Sequence, residues 1–336
     1  ILADPLSGVD NNQEGLINHW DLLFSTGLFE TIKEIQVLRL GPLPPSRELQ
    51  IWLKKPGKVQ LLITEGDCRN LDPIGGSTQF SEGFSYWVDK LFESFPKKLS
   101  TDRKNISDKL SSELINYDSF IHNWLDKKLF RNGLITEPAL ARLLPRLLPT
   151  SIPVMLASSS PIRDWLSYSG EGAFIRRCFG FRGASGIDGT LSMGMGLSII
   201  MGRMILVTGD LALLHDTNGW LFSKDKNISL IVIMIDNGGG GIFNQLNIDT
   251  IQEGDFKEIF LMPQQVCHLT LAKAYGLKYK QVACLDDLEQ AIEWSFSLST
   301  NVLIRVCTNS VEDQKLRVSL RDDLKKNFSE NLSNFD

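Results

Sequence analysis

Two polar residues in this sequence are spaced to share one small ligand. Asp210 stands in Val207-Thr208-Gly209-Asp210-Leu211-Ala212. Asn237, 27 positions later, opens Asn237-Gly238-Gly239-Gly240-Gly241-Ile242-Phe243. Asp210 offers a carboxylate, Asn237 an amide carbonyl, and the turn behind it a main-chain carbonyl. A few hard oxygen ligands suit Mg²⁺, which keeps water and shares its coordination with phosphate oxygens. Glycines let the main chain come close to a diphosphate, and amides opening a helix after Gly209-Asp210 would bind its oxygens. Taken singly, Gly-Asp and Asn-Gly are ordinary turn dipeptides. Their pairing, each behind an apolar run at 204–208 and 230–235, points to a metal–diphosphate site.

Those runs read as strands joined through a helix. That layout sets both oxygen ligands at one end of neighbouring parallel strands, where open α/β sheets bind ligands. Further strands are expected at 35–40, 59–64, 154–157, 277–282 and 302–306. Helices are expected after the Ser46 cap, at 81–95, 107–130, 137–147 behind Thr136, from Pro161, at 186–201 and at 286–296. The segment 174–181 lies between the last strand-to-helix turn and the small-residue helix. Strands alternating with helices imply a doubly wound parallel α/β sheet over 107–336. A smaller α/β piece is expected over 1–97, with a linker at 98–106. The polar stretch 322–336 is expected to fray. Ile1-Leu2-Ala3-Asp4 reads as the end of a buried strand, so residues are expected upstream.

Composition narrows the class. The chain has 336 residues, 43% hydrophobic and 22% charged, ordinary values for a globular protein. A net charge of −5 without basic blocks argues against nucleic acid. No apolar run approaches the roughly 20 residues that span a bilayer. The five cysteines are scattered without a C-x-x-C pair. They are expected as reduced core thiols in a cytoplasmic protein. The four histidines, His215 nearest the motif, are read as structural or surface residues.

The Asp210…Asn237 pair resembles the thiamine-diphosphate motif, whose usual form is G-D-G followed by N or N-N. Here Leu211 replaces the second glycine. With Arg182-Gly183-Ala184-Ser185-Gly186-Ile187-Asp188-Gly189 and Phe260-Leu261-Met262-Pro263, the chain resembles one family over essentially its whole length. That family is the 2-succinyl-5-enolpyruvyl-6-hydroxy-3-cyclohexene-1-carboxylate (SEPHCHC) synthases of menaquinone and phylloquinone biosynthesis. They decarboxylate 2-oxoglutarate and add the four-carbon unit to isochorismate.

The resemblance implies thiamine diphosphate with Mg²⁺ or Mn²⁺, the metal held by Asp210, Asn237 and the carbonyl of Gly239. Ser159, Gly209, Leu211, Ala212, Gly238, Ile242 and Phe243 would line the cofactor, and Ile187 would prop it in its bent form. Arg163 and Arg182 would hold substrate carboxylates, a task suited to the planar guanidinium fork. Arg47 is a weaker candidate for an anion contact, and Arg176 and Arg177 have no such support. Residues 1–97 would be the C-terminal part of the family's central domain. The glutamate that activates the cofactor belongs to an N-terminal pyrimidine-binding domain, to which no residue here is assigned, and subunits would pair as a homodimer or homotetramer. Ser158 stands where many relatives have Asn, and Asp236-Asn237-Gly238 replaces a frequent Asn-Asn-Asp. The alternatives are another thiamine-dependent 2-oxo acid lyase, which would need no arginine pair, and a catalytically silent fragment.

Overall fold

The computed structural model describes residues 1–32, 35–94, 101–130, 133–181, 185–246 and 251–332. The chain forms two compact units. One comprises Ile1–Leu2, Glu14–Ile121 and Arg321–Asp336; the other comprises Ala3–Gln13 and His122–Leu320.

The first unit holds a three-stranded parallel sheet, β1 (Ile35–Leu40), β2 (Lys58–Ile63) and β3 (Ser77–Phe80), in that order. The helix Arg47–Lys54 crosses between β1 and β2. Its cap is the expected one, with Ser46 Oγ accepting from Leu49 N at 3.1 Å. Trp52 of this helix packs with Phe24 and Phe29, whose rings stack 4.0 Å apart. Phe24 lies on a helix, Trp20–Ser25, which had no expectation. Nor did β3, whose four residues carry no apolar run; pairing with β2, not propensity, makes it a strand.

Several helix boundaries shift. The expected 81–95 helix is Phe84–Ser94. The long helix runs Thr101–Leu129, so it takes in residues assigned to the linker; 95–100 lie outside the described residues. Nothing after Pro96 in that stretch breaks a helix. The supposedly frayed C-terminus is helical instead, Ser310–Leu332. Leu320, Leu324 and Phe328, one turn apart, are buried, and such an i, i+4, i+8 stripe anchors an otherwise polar helix. Residues 333–336 lie outside the described ones. At the other end, Ile1 to Asp4 form no strand; the Ile1 amino group donates to Gly15 O.

The second unit is built on six parallel strands. They are β4 (Val154–Leu156), β5 (Cys178–Phe179), β6 (Met204–Gly209), β7 (Leu230–Asp236), β8 (Lys278–Val282) and β9 (Val302–Cys307). Their order is β5-β4-β6-β7-β9-β8. β6 and β7 are buried at every residue but the last, as a strand covered on both faces must be. Leu206, Val232 and Met234 pack with Leu191 and Met195 of the helix Thr190–Met201, which starts later than the expected 186. From β4 the chain moves outward to β5, then returns to place β6 on the other side of β4. The winding reverses between β4 and β6, which opens a crevice at their carboxyl ends.

The described cysteines are free, but only Cys178 is buried, so the expectation of core thiols holds for that one alone. No helix among the described residues is long and apolar enough to cross a membrane.

Candidate metal and diphosphate site

Each side of the crevice comes from a strand end. β4 runs into Ser158-Ser159 and the helix Ser160–Tyr168, β6 into the helix Asp210–His215, and β7 into the Asn237–Gly241 turn. Together they enclose a cavity of about 460 Å³. Of the residues singled out from the sequence, Asp210, Asn237 and Gly239 line it, as do Ser159, Gly209, Leu211 and Ala212. So do Arg163, Ile187, Ile242 and Phe243. Gly238 does not; it lines a separate depression with Arg305 and Cys307. Arg182 lies outside the described residues.

Asp210 is 3% exposed, and its Oδ1 accepts from Leu211 N at 2.9 Å. That amide, expected to face a diphosphate, is therefore occupied by the neighbouring carboxylate. Burial pushes the Asp210 carboxyl up to about 7; the charge of Asp236 adds to the shift, while the Leu211 and Gly239 amides oppose it. Ligand atoms of Asp210, Asp236 and His268 lie within 4.8 Å of one another. Asp236 pairs with Arg305 at 2.7 Å, and His268 Nε2 is 3.9 Å from Asp236. Burial, against the pull of Asp236, lowers the His268 imidazole below its usual range.

Asn237 shows what the cavity lacks. Its Nδ2 donates to Glu137 Oε1 at 2.5 Å, while its Oδ1 is buried without a partner. A buried acceptor left unmatched costs about 1–3 kcal/mol. Asp210, an orphaned amide oxygen and the Gly239 main chain in one cavity fit a small hard cation. The Ser158 hydroxyl, also buried without a partner, lines the same cavity.

The glycine run is explained by close approach. Gly239 has φ 132°, and a Cβ there would lie 2.1 Å from Leu261 O; Gly240 N donates to that oxygen at 2.6 Å. The segment pressed onto the turn is the π-helical stretch Phe256–Leu261, which brings Ile259 and Phe260, with Met262 beyond it, to the cavity wall. Phe260-Leu261-Met262-Pro263 is thus the lid of the glycine turn, a reason that spacing alone could not show.

The arginines divide. Arg163 donates to Ser158 O at 2.6 Å and Ser159 O at 2.8 Å, so it braces the turn it was expected to project from. Arg176 is buried against Pro145 O and Leu148 O, and Arg177 lies over the Phe179 ring. Arg47 is exposed on the first unit.

Three residues of the site escaped the sequence reading: Glu137, Asp236 and His268. Glu137 entered only as the first residue of the helix expected behind the Thr136 cap, where it is the acidic first-turn residue. Asp236 registered only as a departure from a family pattern. His268 gave no signal, being a lone histidine far along the chain; it is not a surface residue but 7% exposed. His215, nearest the motif in sequence, is instead half exposed beside Asp188.

Residues 174–306 match the family model of the thiamine pyrophosphate enzyme C-terminal TPP binding domain. Curated relatives include the SEPHCHC synthase of Prochlorococcus marinus strain NATL1A, 87% identical over all 336 residues. That of strain MIT 9313 is 50% identical over 324 residues, 96% of the chain. That of Synechococcus sp. strain CC9902 is 46% identical over 322 residues. The chain spans about 56% of the length of the NATL1A and MIT 9313 proteins and 55% of the CC9902 one. Among solved structures, the thiamine diphosphate-dependent 4-hydroxybenzoylformate decarboxylase of Rhodococcus jostii RHA1 is similar with a TM-score of 0.51 at 15% identity. The match covers 76% of this chain and 44% of that one, and it shows the fold.

Proposed function

We propose that this chain, which belongs to the SEPHCHC synthase family by its identity to curated relatives along its full length, carries that enzyme's metal–diphosphate half-site. The observation that carries the reading is the unpartnered Asn237 Oδ1 sharing a buried cavity with Asp210 at the sheet's switch point. Asp210, Asn237 and the Gly239 carbonyl would hold Mg²⁺ or Mn²⁺, and thiamine diphosphate would supply the carbon nucleophile and electron sink for 2-oxo acid decarboxylation. The protein's own work is placement. The buried carboxylate attracts the cation, the glycine turn lets main chain approach the diphosphate, and Ile187, Ile242 and Phe243 keep water from the reacting carbon.

The substrates proposed are 2-oxoglutarate and isochorismate. Both are multiply anionic, and Arg163 at the cavity wall, with Arg182, supplies guanidinium groups that hold carboxylates. By resemblance to the family, residues 1–97 would fall to the central domain and 107–336 to the diphosphate-binding domain, a division that differs from the two compact units at 3–13, 107–121 and 321–336. A pyrimidine-binding domain brought by the remaining length of the relatives would complete the site, in a cytoplasmic homodimer or homotetramer.

The test compares the chain with and without that remaining length. The chain with Mg²⁺ and thiamine diphosphate is expected to release no CO₂ from 2-oxoglutarate, and restoring the rest is expected to restore turnover. In the restored protein Arg163→Ala should lower kcat/KM for 2-oxoglutarate about 10- to 150-fold, the range of a lost charge-assisted bond of roughly 1.5–3 kcal/mol. Robust decarboxylation by the chain alone, or unchanged kinetics in the variant, would overturn the reading.

A further inference from the structure

Beneath the cavity lies a buried charge network that no part of the proposed chemistry uses. Arg317, on the helix Ser310–Leu332, donates through Nε to Asp164 Oδ1 at 2.9 Å and through its terminal nitrogen to Asp164 Oδ2 and Glu137 Oε2, each at 2.5 Å. Asp313, one turn earlier on that helix, accepts the Glu137 main-chain N–H at 2.9 Å. Glu137, Asp164, Asp313 and Arg317 are all under 8% exposed. Two segments far apart in sequence, the C-terminal helix directly and Asp164 through Arg317, therefore fix one glutamate at the first position of the helix Glu137–Leu147. Burying such a cluster is expensive and rarely raises net stability, so its persistence asks for another reason.

The other oxygen of Glu137 gives that reason. Oε2 accepts from Arg317, and Oε1 accepts from Asn237 Nδ2. A carboxylate so engaged offers only acceptors, whereas an amide has two donors at one end and a carbonyl at the other. Only the NH₂ end of Asn237 can face Glu137, so the carbonyl end must face away, and that oxygen is the unpartnered one at the cavity. Were the amide reversed, it would present hydrogens to a cation and oppose two acceptors at its back. The ends of an amide are nearly isosteric, so packing alone cannot choose between them.

We propose that Glu137, held by Arg317, is a positioning residue that locks the Asn237 amide with its oxygen toward the metal. The inference rests on the metal-site reading above and goes beyond it, because it assigns an orienting role to a residue remote from the Asp210…Asn237 motif. It acts through Asn237 and touches no reacting atom.

The experiment is a reciprocal exchange. Mn²⁺ is titrated into the chain with saturating thiamine diphosphate, followed by water-proton relaxation, and the melting midpoint is recorded without metal. In Glu137→Gln the Gln oxygen is claimed by Arg317, which turns an NH₂ toward Asn237 and favours the reversed amide. Mn²⁺ affinity is expected to fall roughly 10- to 100-fold, the range seen when groups that orient metal ligands are lost. In the double variant Glu137→Gln/Asn237→Asp the donor and acceptor trade places and an oxygen again faces the cavity. Its affinity is expected to return to within about tenfold of the parent, whatever the metal-free midpoint does, a recovery that a purely structural role would not give. Glu137→Gln binding within twofold of the parent overturns the proposal. Should that variant not fold, the double variant decides alone, since failure to bind there removes the orienting bond as the cause. Failure of the parent chain to take up Mn²⁺ would instead strike the metal-site reading itself, before any variant is measured.

Discussion

Two turns in this molecule share a pattern and differ in what they leave unfinished. Asp72-Pro73-Ile74-Gly75-Gly76 lies in the first unit and Asp236-Asn237-Gly238-Gly239-Gly240 in the second. Asp72 spends both oxygens at home. Oδ1 takes Arg39 at 2.8 Å and Ile74 N at 3.2 Å, and Oδ2 takes Gly76 N, Ser77 N and Ser77 Oγ. Burial would raise this carboxyl, yet the bonds from Arg39, Ser77 and Ile74 outweigh it and hold the group well below the usual range. The second turn does the reverse. Asn237 keeps its side-chain oxygen unbonded, and Asp210 in the same cavity is pushed up to about 7 by burial. The two look alike as sequence. A closed set of hydrogen bonds marks a structural staple, and a buried oxygen held open marks a site.

Breaking the staple should give the largest effect. Asp72→Ala leaves Arg39 buried without its partner, a class of change that costs about 3–5 kcal/mol. Urea unfolding should show that loss, while Mg²⁺ and thiamine diphosphate binding stay unchanged. Weakened cofactor binding in a folded variant would end the contrast between the turns.

Asp210→Ala should behave oppositely. It removes a buried carboxylate that forms no ion pair among the described residues, so stability should hold or rise. Mg²⁺ affinity measured by calorimetry should fall roughly 100-fold or more, beyond the roughly 10- to 100-fold carried by groups that only orient ligands. Unchanged affinity would take Asp210 out of the site.

The smallest effect is expected from pH. Burial raises Asp313 to about 7 and Asp164 to about 6, against 3.8 for a free carboxyl. The folded state therefore binds more protons than the unfolded state between those values. The resulting contribution is fully present below about pH 4 and is lost as pH rises through 6 and 7. In the parent, the urea midpoint should decline between pH 6 and 7 by the equivalent of about 1 kcal/mol, roughly what one pH unit of titration by a single raised carboxyl is worth. Asp313→Asn, which keeps an acceptor for Glu137 N, should flatten that decline. An equal slope in both proteins would mean that Asp313 does not titrate in this window.

Much of the second unit was legible because its signals are local. Runs such as Met204–Gly209 and Leu230–Asp236 are apolar at nearly every residue, which suits a strand covered on both faces, and the polar residues closing them had to lie at strand ends. Ser46 and Thr136 announced their helices by capping chemistry, and both accept the expected amide. The misreadings arose where partners are distant. β3 is a strand through β2, and the C-terminal helix extends to Leu332 through a stripe of three apolar side chains in a polar sequence.

The sequence by itself determined the parallel α/β plan and the pair Asp210 and Asn237, because periodicity and turn chemistry act over a few residues. Only the tertiary structure decided which end of the Asn237 amide faces the cavity. It also decided that Leu261 would press on the glycine turn and that Arg163 would brace its own loop. Those outcomes depend on atoms brought together from residues 137, 164, 237, 261 and 317. A hydrogen bond has no sequence signature when its partners are a hundred residues apart; its geometry exists only once the sheet has been wound.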